Sequence, residues 1–191
     1  MSKEVKIAIF GKMRSGKDTI GKMLIEEFNF KRYAFGTGIG NIIDEYFPEA
    51  TINGKPRKHY QHIGQQLREL DPDVWVKYLL KSVEKDGAKR VVVTDGRQVN
   101  EAERLRAEGY TIVKVVAPEE IRIKRILESG DVFIPEQLTH ETERQVDLLQ
   151  DCVVITNDRD INYLRLQVAA LLSLLDPELG EQAVRGVVAS D

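Results

Sequence analysis

The stretch "GKMRSGKDT" (residues 11–19) spaces its glycines and lysine as a phosphate-gathering turn would. Gly11, Gly16 and Lys17 fit the pattern G-x-x-x-x-G-K. In such a loop, backbone N–H groups point inward and the next helix adds partial positive charge at its N-terminus. Lys17 brings a full charge to the β- and γ-phosphates of a nucleotide. Lys12 and Arg14 add cations to the same short loop, and Ser15 completes it. The pattern usually continues with Ser or Thr, whose hydroxyl holds Mg2+. Here Asp18 stands in that place and Thr19 comes one step late. Adjacent helical residues point ~100° apart, so Thr19 does not stand in for residue 18. Two roles suit Asp18: a carboxylate ligand for Mg2+, or a first-turn acid that favours the helix dipole.

A second acid, Asp95, ends the apolar run "VVVTD". At the carboxyl end of a buried parallel strand, where ligands bind, an acid typically orients Mg2+ or its waters. The alternative is a helix N-cap, a task for which Asn100 is better placed. Arg97 belongs to the same edge, with a guanidinium suited to bidentate phosphate contact. On "HIGQQLREL", Gln61, Gly64, Gln65 and Arg68 share a helical face, with amides suited to the edges of a base. A solvated polar face is the competing reading. Trp75, Tyr78 and Leu79 recur at helical spacing and read as core. His59 and His62 lack a third ligand and read as ordinary polar residues. Arg122 and Arg125 share a helix face before the irregular "DVFIPEQ", an arrangement that fits a lid over a transferring phosphoryl group.

These residues need elements to position them. Val5, Ile7 and Ile9 alternate as a strand into Gly11, and Ile20, Met23, Leu24 and Phe28 continue at helical spacing. Further strands are expected at 31–35, 90–95, 111–116 and 152–156. Helices are expected between them and after the last, with a glycine-rich turn after Phe35 and loop over 48–56. Such alternation predicts an α/β fold with a mainly parallel sheet. The tail beyond Asp176 reads as weakly ordered.

Composition narrows the function. The 191 residues suit one domain. With 28 basic and 31 acidic residues the net charge is -3, which argues against wrapping nucleic acid. Cys152, the single cysteine, excludes a disulfide framework or thiolate cluster and reads as core. The opening "MSKEVKIAIF" shows no secretory pattern, and no run is apolar enough to span a bilayer. A cytoplasmic protein without membrane or nucleic-acid partner is expected.

Taken together, the chain resembles the P-loop nucleoside-monophosphate kinases, and most of all the bacteriophage-type deoxynucleoside monophosphate kinases. The resemblance covers residues 5–170 and is carried by "RSGKDT", "QHIGQQLRELDPDVW", "VVVTDGRQVNEAERLRAEG", and "HETE" followed by "VVITND". An Asp after the loop lysine is usual in that group. The resemblance implies a P-loop NTPase fold: a five-stranded parallel sheet flanked by helices in a single domain over 1–176, leaving 177–191 as tail. It also implies a helical nucleotide-monophosphate region near 36–85 and a lid near 122–145. Lys17 would bind ATP phosphates, Arg68 and Arg97 the acceptor phosphate, and Arg122 and Arg125 would serve the lid. Asn157 would lie near the adenine. The chain departs from the group in having "GTGIG" after "YAF" and in lacking a glycine after Asn157-Asp158. Dephospho-coenzyme A kinases share the architecture and the basic lid.

The expected reaction is Mg2+-dependent transfer of the ATP γ-phosphoryl group to a (deoxy)nucleoside monophosphate by a monomer or homodimer. An acceptor phosphate with a second pKa of about 6 is largely dianionic at neutral pH, so no general base is required. Two rivals stand beside this reading. A GTPase would use the N-x-x-D spacing of Asn157 and Asp160, but Asp158 replaces the expected lysine and "DGRQ" lacks D-x-x-G. A non-catalytic nucleotide-binding regulator is the other.

Overall fold

The computed structural model describes residues 3–52, 54–129 and 141–188. Its strands are β1 (Val5–Gly11), β2 (Lys31–Tyr33), β3 (Arg90–Gly96), β4 (Thr111–Val116) and β5 (Val153–Thr156). They form one sheet in the order β2-β3-β1-β4-β5, with parallel pairing throughout. The helices are α1 (Lys17–Phe28), α2 (Gly36–Tyr46), α3 (Arg57–Leu70), α4 (Val74–Asp86) and α5 (Val99–Ala107). They continue as α6 (Glu119–Glu128), α7 (Glu141–Asp147), α8 (Ile161–Leu175) and α9 (Pro177–Val188). No described helix is long and apolar enough to cross a membrane.

The pleat of β1 divides the core. Ile7 and Ile9 join α1, α8 and α9 on one face, while Ala8 and Phe10 join α2, α4 and α5 on the other. Helices on both faces bury the central strands β1 and β3 almost throughout, which is why these two are almost continuously apolar, while the edge strands β2 and β5 keep exposed residues. The helices following the adjacent strands β1 and β3 leave to opposite faces, α1 to one and α5 to the other. The carboxyl ends of β1 and β3 therefore flank a topological switch point, where open α/β sheets bind ligands. The fold brings the residue 11–19 loop beside Asp95 and Arg97 for that reason.

Several expectations need correction. The weakly ordered tail is instead α9 over 177–188: it packs on α8 and buries Leu179 and Ala183 in the core. Apolar residues at helical spacing, invisible as a motif, fix it there. The glycine-rich turn after Phe35 is the first part of α2. Gly38 serves close packing, since a Cβ there would meet the Trp75 and Tyr78 rings at 2.9–3.1 Å. The 48–56 loop contains a short 3-10 turn at Pro48–Thr51. Trp75 and Leu79 are core as expected, but Tyr78 is 37 % exposed, and its hydroxyl accepts a hydrogen bond from Asn41 Nδ2. Cys152 is only half-buried.

Candidate active site

The loop between β1 and α1 is held open by its backbone. Gly16 adopts φ 101° as the residue preceding α1, a left-handed conformation natural to glycine. Arg14 is also left-handed, at φ 60°, a local strain of the kind kept at ligand sites. Asn157, at the end of β5, closes on the loop from outside. Its Nδ2 donates to the Ser15 carbonyl at 2.9 Å. Arg125 then ties both together, donating to the carbonyls of Arg14 (3.2 Å) and Asn157 (3.3 Å) and to Asn157 Oδ1 (3.2 Å). Arg122 donates to the Met13 carbonyl at 3.4 Å. The arginines expected in a lid therefore brace the outer carbonyls of the loop. Residues 130–140, the middle of the expected lid, lie outside the described residues.

Two further loop cations are engaged. Lys12 pairs with Asp147 of α7 at 2.7 Å, and Arg14 donates to the Ser129 hydroxyl at 2.8 Å. Gly11 and Ser15 are buried, and Ser15 Oγ has no hydrogen-bond partner among the described residues. Asp18 and Thr19 are exposed on the first turn of α1. Lys17 is buried, and its ammonium is held below the ordinary lysine value, first by desolvation and then by the Arg97 charge. Asp18, Glu143 and Asp95 oppose that shift, so all three carboxylates lie within electrostatic reach of Lys17.

On the β3 side, Asp95 accepts hydrogen bonds from the N–H groups of Phe35 and Gly36, each at 2.9 Å. The metal acid expected there caps the start of α2, because that helix has no other side-chain cap. The N-cap of α5 is Gln98, not Asn100, whose amide instead donates to Pro72 and Asp73. Arg97 reaches toward Glu143 at 3.5 Å with a side chain 43 % exposed. Arg68 turns from α3 toward Glu101 at 3.4 Å. Gln61 and Gln65 are exposed on α3; Gln65 donates to Glu69, and Gly64 is buried with its carbonyl accepting from Trp75 Nε1.

Residues 7–144, more than half of the chain, match the family described as an AAA domain. The chain belongs to that AAA-domain family. Comparison with curated proteins gives no match. Among solved structures, this AAA-domain protein is similar to a sugar kinase from Janibacter sp. HTCC2649, at 14 % identity and TM-score 0.54, covering 92 % of this chain and 98 % of that one. It is similar to the shikimate kinase of Aquifex aeolicus at 19 % identity and TM-score 0.51, covering 92 % and 99 %. It is also similar to the dephospho-CoA kinase of Campylobacter jejuni at 13 % and TM-score 0.52, covering 91 % and 98 %. At such identities the likeness establishes a shared fold: the five-stranded parallel sheet flanked by helices.

Sequence reasoning missed two carboxylates of this AAA-domain site. Glu101 is buried, accepts from the N–H groups of Arg97 and Gln98 at 3.0 Å each, and orients the β3 turn. Burial holds its carboxyl above the ordinary value, against the pull of those N–H groups and of Arg68. Its signal was present as Gln98-x-x-Glu101, a relative of the capping box. Glu143 is equally buried, and nothing but its place in "HETE" marked it.

The donor set fits a Mg2+ ion carried mainly by phosphate. Among the described residues no group of three or more His, Cys, Asp or Glu side chains gathers around one point. Mg2+ seldom needs such a cage, since it takes one or two carboxylates and keeps phosphate oxygens and waters. Exposed Asp18 lines an open cavity of about 280 Å3 with Arg32 and Thr94, which runs along α1 past Gly21 to Glu26. A larger cavity of about 610 Å3, bordered by Glu4, Lys89 and Tyr110, lies at the opposite, amino ends of the strands. Parallel sheets do not place their chemistry at that end.

Proposed function

We propose that this protein transfers the γ-phosphoryl group of ATP to a nucleoside monophosphate, with deoxy acceptors favoured. One observation carries the reading: a loop N–H, that of Met13, and a cation of the β3 turn, Arg97, meet on one buried carboxylate, Glu143, at 3.0 and 3.5 Å, beside the loop that bears the buried Lys17. A loop N–H and a β3 guanidinium drawn to one point call for an anion there, a place that Glu143 takes in the ligand-free protein. A phosphoryl group passing from a donor on the loop to an acceptor beside β3 supplies it.

In this reading Lys17 and the loop N–H groups hold the donor phosphates, and Arg97 and Arg68 orient the acceptor phosphate. Arg122 and Arg125 act through the loop, keeping its carbonyls turned outward so that N–H groups remain available to phosphate. Asp18 would hold Mg2+, which supplies charge neutralisation on the phosphate oxygens when bound. Catalysis is then positioning and electrostatic stabilisation. Asp95, the acid at the β3 edge, already spends both oxygens on the N-terminus of α2. That suits an acceptor that arrives as an anion better than an alcohol needing a base.

The experiment is a panel of nucleoside and deoxynucleoside monophosphates, with dephospho-coenzyme A, shikimate and gluconate as competitors, mixed with ATP and Mg2+ and read as ADP. ADP should form only with a monophosphate present, and faster with deoxy acceptors. Turnover of an alcohol acceptor without turnover of any monophosphate would refute the assignment.

A further inference from the structure

Arg122 is buried, with 3 % of its side chain exposed, and so is its counter-ion Glu143. The Glu143 carboxylate lies among donors from separate parts of the fold. Both of its oxygens accept from the Met13 N–H of the loop, each at 3.0 Å. Oε1 faces Arg97 Nη1 and Oε2 faces Arg122 Nη1, each at 3.5 Å. A loop N–H and two guanidiniums thus converge on a group bearing one negative charge.

The fit is incomplete. Contacts of 3.5 Å are ion-pair distances rather than well-made hydrogen bonds. Arg122 Nε is buried with no hydrogen-bond partner among the described residues, although Arg122 also pairs with Glu119 at 3.5 Å and donates to the Met13 carbonyl. The pocket therefore holds more donor capacity than a planar carboxylate uses. A phosphoryl group, with more charge and three acceptor oxygens, answers it better.

We propose that Glu143 is a resident stand-in for phosphate: its carboxylate fills the Met13–Arg97–Arg122 anion pocket in the ligand-free protein and leaves when a phosphate chain enters. Without such an occupant the buried Arg122 would keep only the exposed Glu119 carboxylate as counter-ion, and loss of the buried partner of a buried charge is strongly destabilising. Glu143 thus keeps the pocket formed before ligand arrives, and every incoming phosphate competes with it. The inference rests on the proposed reading of the loop as a donor-phosphate site and adds the residue that ligand displaces.

The test uses inorganic tripolyphosphate, which offers the phosphate chain without base, sugar or acceptor. Calorimetry at fixed ionic strength should show Glu143→Gln binding it about tenfold more tightly than wild type, the worth of a charge-assisted contact that no longer has to be broken. Equal or weaker binding by a cooperatively melting Glu143→Gln overturns the proposal, because a carboxylate that merely organises the arginines would be needed for binding. A second readout needs no variant: in a crystal structure of wild type with tripolyphosphate, Glu143 should lie beyond hydrogen-bond reach of Met13 N. A carboxylate still bonded to Met13 overturns the proposal as well. Neither readout involves an acceptor, so a failed monophosphate panel leaves both intact. Wild type that binds no tripolyphosphate overturns this inference and the donor-site reading together.

Discussion

Replacing Asn157 by Ala separates two accounts of that residue. As a contact to adenine, its loss should weaken ATP and touch nothing else. The structure gives it a different load: it is 7 % exposed, its Nδ2 donates to the Ser15 carbonyl, and its Oδ1 accepts from Arg125. Truncation leaves the Ser15 carbonyl buried and unpaired, a loss of about 1–3 kcal/mol. The Arg125 contact is half-buried and partly replaced by water, so it adds about 0.5–1.5 kcal/mol. Stability should fall by about 1.5–4.5 kcal/mol, read from urea unfolding at constant m-value. Because the clamp shapes the loop, tripolyphosphate and ATP should weaken by the same factor, tenfold for about each 1.4 kcal/mol of lost preorganisation. Arg125→Ala should be non-additive with it by about 0.5–3 kcal/mol, since the two side chains form one unit. A stability change below about 0.5 kcal/mol, with ATP weakened and tripolyphosphate unchanged, would refute the clamp.

Three other outcomes follow from the site and the core. Lys17→Met should abolish ADP formation yet raise the Tm of the ligand-free protein, because burial and Arg97 oppose the Lys17 charge. The sign follows from a depressed folded-state value: the penalty is absent above the ordinary lysine pKa of 10.5, grows as pH falls from there toward the lowered value, and is full below it. The Tm gain should therefore be largest near neutrality and fade in alkali; a Tm that drops at neutral pH contradicts it. Asp18→Ala should raise the Mg2+ concentration for half-maximal rate at saturating ATP, and Asp18→Ser should restore much of the activity; an unshifted midpoint leaves Asp18 as a helix-dipole acid. Leu179→Ala should cost about 2–5 kcal/mol in urea unfolding, since Leu179 is 1 % exposed in the α9 contact with the core; a loss under about 1 kcal/mol would return this segment to the status of a tail.

Short-range features were legible in the sequence because covalent spacing enforces them. The loop needs Gly16 and Lys17 at fixed positions after a strand, and alternating apolar strands with intervening helices leave little choice but a parallel sheet. Helix packing was less legible. Gly38 reads as a turn residue in isolation, and only the rings of Trp75 and Tyr78, brought in by α4, explain its place inside α2. Asp95 was visible as an acid at a strand end, but its commitment to the α2 amides depends on where that helix begins.

What the sequence determined by itself is the kind of site: a strand–loop–helix with a lysine, and a second strand that ends in an acid; that β1 and β3 end side by side came from the sheet order. What the tertiary structure decided is which charges answer one another there. Glu143 is one of 31 acidic residues, and beyond its place in "HETE" nothing gives it a task until folding sets it against Met13, 130 positions earlier in the chain. Arg122 and Arg125 carry the same charge in sequence as in space, yet only packing turns them from a basic helix face into braces for the loop carbonyls. Spacing along the chain dictates local geometry, whereas the energy of a buried charge depends on partners that only the folded core brings within reach.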